Sequence, residues 1–146
     1  HPAEILIDGM HLRLAYEPGE SASGLFGGNT NWRGPVWVAM NYLLIRAMAK
    51  YGDFLGEGFV VECPTGSGRM ISLREVSRDL ARRVTSLYLS NGDGERPAQR
   101  RIRGVGLEGR TLFYEYFHGD TGAGLGASHC TGWTALLANL LHDLAD

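Results

Sequence analysis

The stretch PVWVAMNYLLIRAMAKYG, residues 35–52, decides the fold. Proline fits the first turn of a helix, where its missing N–H has no intrahelical partner to lose. Glycine past the last periodic residue is a common stop. The spacing therefore predicts a helix opened by Pro35, running to about Tyr51 and ending at Gly52. Val36, Trp37, Met40, Leu43, Leu44, Ala47 and Met48 occupy most of its circumference rather than one stripe. Such a helix expects cover on nearly every side.

Toward the C-terminus the pattern alternates between wet and dry helices. A short apolar stretch at residues 59–61 leads through CPTGSG, residues 63–68, to a second helix over residues 73 to about 90. Ser72 and Glu75 have the S-x-x-E spacing of a capping box, in which each side chain satisfies a backbone N–H of the other's end. Leu73, Val76, Leu80, Val84 and Leu87 form one apolar stripe, opposed by Arg74, Arg78, Asp79, Arg82 and Arg83. A third helix over residues 132–144 carries Trp133, Leu136, Leu137, Leu140, Leu141 and Leu144 and is broadly apolar again. On the N-terminal side, residues 4–16 alternate around Asp8-Gly9, the preferred pair for a two-residue hairpin turn with positive φ at both positions. PGESASGLFGGNT, residues 18–30, reads as a loop covering a site. The fold class is mainly α with short β-hairpin insertions.

With 146 residues the chain is one domain, residues 1–146, long enough for a proper core. An apolar fraction of 44% and a net charge of −2 give no electrostatic case for a nucleic-acid or membrane partner. Arg96, Arg100, Arg101, Arg103 and Arg110 cluster without interleaved aromatics and read as a solvated loop. Cys63 and Cys130 lack the C-x-x-C spacing of zinc or redox sites. No apolar run reaches the ~20 residues that span a bilayer, so the expected location is the cytoplasm.

The chemistry concentrates in two stretches. In FYEYF, residues 113–117, Glu115 stands among aromatics, a setting that solvates a carboxylate poorly. Regular alternation would put Phe113, Glu115 and Phe117 on one side and Tyr114 and Tyr116 on the other. A solvent-facing strand glutamate is the alternative. Gly119, Gly122, Gly124 and Gly126 match neither nucleotide-binding fingerprint and suit tight turns around a pocket. His118, Asp120 and His129 are ligand types, but their spacing matches no metal site, so no metal and no cofactor is expected. In GGNTNWRGPVW, residues 27–37, Trp32 and Trp37 offer flat faces that stack on sugar rings, and Arg33, Asn29 and Asn31 offer directional hydrogen bonds. A purely structural role fits Trp37 at least as well.

NWRGPVW, residues 31–37, paired with YEYFHGDTGAGLGASHCTGWTA, residues 114–135, resembles glycoside hydrolase family 63. That family includes the eukaryotic processing α-glucosidase and bacterial α-glucosidases and mannosylglycerate hydrolases. The resemblance extends over the whole chain, as the C-terminal part of a longer catalytic domain. It implies a fragment of an (α/α)6 barrel, a six-hairpin toroid whose inner helices are enclosed and whose outer helices are wet on one face. It further implies an inverting α-glycosidase in which Glu115 is the general base. Trp32, Arg33, Trp37, Tyr114, His118, Asp120, Cys130 and Trp133 then line or shape the pocket for an α-glucoside-like carbohydrate. The family's general acid, an aspartate, has no match here, and Cys130 stands where relatives carry Gln. The expectation is a chain inactive by itself, with a carbohydrate-binding or assembly module as the alternative. Apolar faces left open by an incomplete barrel would be covered by another copy or a partner chain.

Overall fold

The computed structural model describes residues 2–24, 32–102 and 109–145, and the side chains of residues 101 and 102 are outside that description. Asn29, Asn31 and Arg103 lie outside the described residues, as do the Arg101 side chain and part of the loop expected over residues 18–30.

The N-terminal hairpin forms as its turn dictates. β1 (Ala3–Ile7) pairs antiparallel with β2 (Met10–Leu14), and Asp8 and Gly9 adopt φ 49° and 79°. Helix α1 (Val38–Leu55) starts three residues later than the proline suggests. The reason is long-range pairing: Val36 forms a β-bridge with Phe117, which holds the chain extended through Trp37, the N-cap residue, at φ −107° and ψ 113°. Pro35 and Trp37 therefore precede the helix rather than open it. The expected stop is also displaced. Gly52 lies inside α1 and is buried, and the helix ends at Gly56, whose φ of 76° matches the left-handed conformation glycine tolerates there. What requires a glycine at position 52 is packing, because a Cβ there would come within 2.8 Å of Arg74 Cγ and 3.0 Å of the Arg74 nitrogen.

β3 (Val60–Glu62) and β4 (Met70–Ser72) form a second antiparallel pair that delivers the chain to α2 (Leu73–Ser86). The capping box is present: the Glu75 N–H donates to Ser72 Oγ at 3.4 Å, and the Ser72 N–H donates to Glu75 Oε2 at 2.9 Å. α2 stops short of residue 90. The Leu87 and Tyr88 N–H groups turn back to Val84 and Thr85 carbonyls, and the Leu87 carbonyl accepts from Ala98 in the 3-10 segment Pro97–Ile102. The expected third helix is divided into α3 (Thr131–Thr134) and α4 (Leu137–Ala145).

The core joins these helices. Val38 and Ile45 of α1, Ala81 and Val84 of α2, and Leu137 and Leu140 of α4 pack with Leu87, Ala98, Tyr114 and Phe117. Helices supply most of this core, so the described residues are mainly α with three short antiparallel strand pairs. The expected alternation of dry, wet and dry helices needs correction. The amphipathic α2 lies between its neighbours and is well covered on its apolar side, whereas α1 buries only Val38, Ile45 and Gly52. Met40, Leu43, Leu44, Tyr51 and Phe54 of α1 are exposed, Phe54 by 84%, and so is Leu141 of α4. Within the described residues, nothing covers the outer side of α1. No described helix is long and apolar enough to cross a membrane.

Candidate functional site

The site grows from one backbone junction. Val36 N–H donates to the Phe117 carbonyl at 2.8 Å and Phe117 N–H donates to the Val36 carbonyl at 2.9 Å. This pair sets the residues just before α1 beside the short strand β5 (Tyr116–Phe117), itself antiparallel to β6 (Gly124–Leu125). The flanking side chains then meet in register. Trp37 stacks on Tyr116 with ring centroids 4.6 Å apart and planes inclined by 21°. Trp32 stacks on the other partner of this column, Trp37, at 4.3 Å and 14°. Trp133 of α3 tilts against Trp37 at 5.9 Å and 58°. Trp37 and Tyr116 are buried, while Trp32 is 50% exposed and Trp133 is exposed too. Two rigid inner rings thus support two outer indoles, whose solvent-facing surface is the flat, apolar kind that packs against the C–H face of a sugar.

Glu115 sits at the edge of this column. The strand alternation expected around it breaks, because the chain bends at Glu115 before β5 begins. Tyr114 and Phe117 consequently enter the main core together, and Tyr116 alone joins the tryptophans. The Tyr114 carbonyl accepts from Thr134 Oγ1, and the Tyr114 ring packs so closely on Gly124 that a Cβ there would overlap it. Tyr114 is thus a core residue, and Tyr116 is the tyrosine at the site that sequence reading left out. The signal for it was the Val36–Phe117 pairing, which no short-range pattern reveals.

The Glu115 side chain is half-buried and is held from behind. The Glu115 backbone N–H donates to the Ala127 carbonyl at 2.8 Å, and the side-chain Oε2 accepts from the Ala127 N–H at 3.2 Å. Among the described residues this is the one hydrogen bond its carboxylate receives. Gly126, at φ 68°, runs between carboxylate and ring: a Cβ there would lie 2.6 Å from Glu115 Oε2 and 2.7 Å from Tyr116 Cε1. The glycines at this point let the backbone close over Glu115, rather than cradle a phosphate.

The other expected residues each have partners of their own. The His118 Nδ1 accepts from the N–H groups of Asp120 and Thr121 at 3.2 and 3.3 Å, so in the neutral ring the proton resides on Nε2. Asp120 Oδ1 accepts from the Tyr16 hydroxyl at 2.8 Å, and that bond raises the Tyr16 pKa above the ordinary tyrosine value. Arg33 pairs with Glu17 at 3.2 Å. Cys130 is a free thiol immediately before α3; its carbonyl accepts from the N–H groups of Trp133 and Thr134, and its N–H donates to Phe113. Cys63 is also free and lies away from the site on the β3–β4 connection. Among the described residues no group of three His, Cys, Asp or Glu side chains is arranged to hold a metal.

Comparison with known proteins gives the family. The mannosylglycerate hydrolase MGH1-like glycoside hydrolase domain matches residues 14–134, a range containing Glu115 and the whole aromatic column. An uncharacterized protein of Saccharomyces cerevisiae is 42% identical over 99% of this chain and 14% of its own length. Mannosyl-oligosaccharide glucosidase of the same yeast is 29% identical over 80% of this chain and 11% of its own length. Alpha-glucosidase 2 of Arabidopsis thaliana is 24% identical over 77% of this chain and 11% of its own length. The chain thus spans 14% or less of each of these relatives. No solved structure gives a significant match. These relationships bear out the likeness to glycoside hydrolase family 63 carried by the two motifs.

Proposed function

We propose, from the premise that this chain belongs to the mannosylglycerate hydrolase MGH1-like glycoside hydrolase family, that it supplies the general-base side of an inverting α-glycosidase site. In that chemistry one carboxylic acid protonates the leaving oxygen. A second carboxylate removes a proton from water on the opposite face of the sugar, the two lying roughly 6.5–9.5 Å apart to admit that water. Glu115 is the base. The observation that carries this reading is its position: a half-buried carboxylate, fixed by Ala127 and bordering the Trp32–Trp37–Tyr116–Trp133 column. The outer indoles pack the sugar ring, and Arg33, His118, Asp120 and Cys130 shape the rim.

The acid comes from elsewhere in the barrel, of which this chain is the C-terminal portion. Acid assistance typically supplies ~10²–10⁴-fold, so the chain alone turns over α-glucosides poorly or not at all. The exposed outer side of α1 faces other barrel helices, a second copy or a partner chain. The test is to assay aryl α-glucosides and gluco-disaccharides with the chain and its Glu115→Gln variant, and to measure sugar binding in parallel. Turnover abolished by Glu115→Gln would mean that a complete acid–base pair is present in the chain. Glu115-independent turnover would sink the assignment of the base.

A second reading has its own support, because the chain by itself carries an aromatic column. A non-catalytic carbohydrate-binding or assembly module would keep the column and dispense with the acid. Equal sugar affinity in Glu115→Gln, without turnover in either protein, favours that module.

A further inference from the structure

Trp32 is the most exposed ring of the column, and its stacking face is useful only if the indole is held against Trp37. What holds it is not local helix structure, since α1 begins only at Val38. The adjacent Arg33 is gripped instead from the segment that follows the first hairpin. Arg33 Nη2 meets Glu17 Oε2 at 3.2 Å, and the two side chains are only 22% and 17% exposed. A pair so shielded differs from a surface ion pair, because solvent and salt screen it less. Glu17 also fits closely against the next residue: a Cβ on Gly34 would overlap the Glu17 carbonyl and approach Pro18 N to 2.9 Å. The same segment is fastened to the turn beyond β5, where Tyr16 donates to Asp120 at 2.8 Å and Gly119 N–H donates to the Pro18 carbonyl at 2.7 Å. Residues 16–18 therefore strap the tryptophan-bearing segment to the Glu115-bearing one.

We propose that Glu17 is a positioning residue of the site: through Arg33 it sets the Trp32 ring on Trp37 as a carbohydrate platform, without touching the sugar. The ligand class rests on the carbohydrate reading above; the positioning rests on geometry alone.

Neighbouring indoles couple their far-ultraviolet transitions into a circular-dichroism couplet; the Trp37–Trp133 pair also contributes, so the part lost in Trp32→Ala is the part that reports the Trp32–Trp37 stack. The experiment records this couplet and the binding of methyl α-D-glucopyranoside, followed by tryptophan fluorescence, in the parent chain, Trp32→Ala, Glu17→Gln and the exchange variant Glu17→Arg/Arg33→Glu. Glu17→Gln is expected to lose the couplet to the level of Trp32→Ala while keeping its helical signal, and to bind the glucoside about tenfold more weakly, ~1.4 kcal/mol. The exchange variant is expected to recover the couplet. A full couplet in Glu17→Gln would overturn the proposal. If Glu17→Gln does not fold, Arg33→Gln, which leaves the Glu17–Gly34 contact in place, is read the same way: loss supports the proposal and retention overturns it. No glucoside binding by the parent chain would overturn the binding-module reading and point to an isolated part of the site, and the couplet would still decide the role of Glu17.

Discussion

Val36 and Phe117 exchange two backbone hydrogen bonds, at 2.8 and 2.9 Å, although they lie in separate motifs of the chain. That exchange has two consequences. It delays α1 until Val38, and it turns Trp37 onto Tyr116, so the aromatic column and the helix start have a single cause. Phe117 is itself fully buried, which anchors the junction in the core.

The close packing of Gly124 on the Tyr114 ring makes position 124 intolerant of any side chain. Gly124→Ala is expected to cost about 1–3 kcal/mol, the usual range for overpacking. Denaturant unfolding checks it. An unchanged midpoint would mean that the β5–β6 pair can move away from Tyr114.

Thr134 is fully buried and its hydroxyl donates to the Tyr114 carbonyl. Thr134→Val keeps the shape but removes the donor, leaving a buried carbonyl without it, and is expected to lose about 1–3 kcal/mol. Thr134→Ser retains the donor and is expected to lose less. Comparing the thermal midpoints of the two variants separates the hydrogen bond from the methyl group.

Burial pushes the Tyr88 phenol well above the ordinary tyrosine value, and its hydroxyl donates to the Leu112 carbonyl at 2.9 Å. A raised pKa in the folded state favours the protonated form. The resulting stability is fully present below the unfolded-state value of about 10 and is lost as pH rises beyond it. Unfolding free energy measured at neutral pH and again at strongly alkaline pH is expected to fall in the parent chain. In Tyr88→Phe the fall is expected to be smaller, since no phenol remains to ionise there.

Leu43 and Phe54 project from the uncovered side of α1. If another copy covers this side, Leu43→Asp with Phe54→Ser lowers the mass seen by light scattering at high concentration. Each is a surface change expected to alter stability by no more than about 0.5 kcal/mol. A parent chain monomeric across concentration would argue against self-association.

Legibility in the sequence followed the range of the forces involved. The hairpin around Asp8-Gly9, the Ser72–Glu75 capping box and the apolar stripe of α2 were all readable, because each depends on neighbours a few residues away. The family likeness was readable for another reason: it is carried by particular residues in two stretches, both of which lie in or overlap the matched range 14–134. Gly52 misled because a helix stop and a close helix crossing both call for glycine, and only the position of Arg74 distinguishes them.

By itself, then, the sequence determined the local elements and the family likeness, and it marked Trp32, Arg33, Trp37, Glu115 and Trp133 as candidates because they stand in motifs whose chemistry is local. Only the tertiary structure decided how they meet. It bent the chain at Glu115, sent Tyr114 to the core and Tyr116 to the tryptophans, and linked Tyr16 to Asp120, a partner 104 residues away. The physical reason is that backbone pairing and ring stacking between distant segments are set by which surfaces the core brings together. No periodicity along one segment encodes that choice.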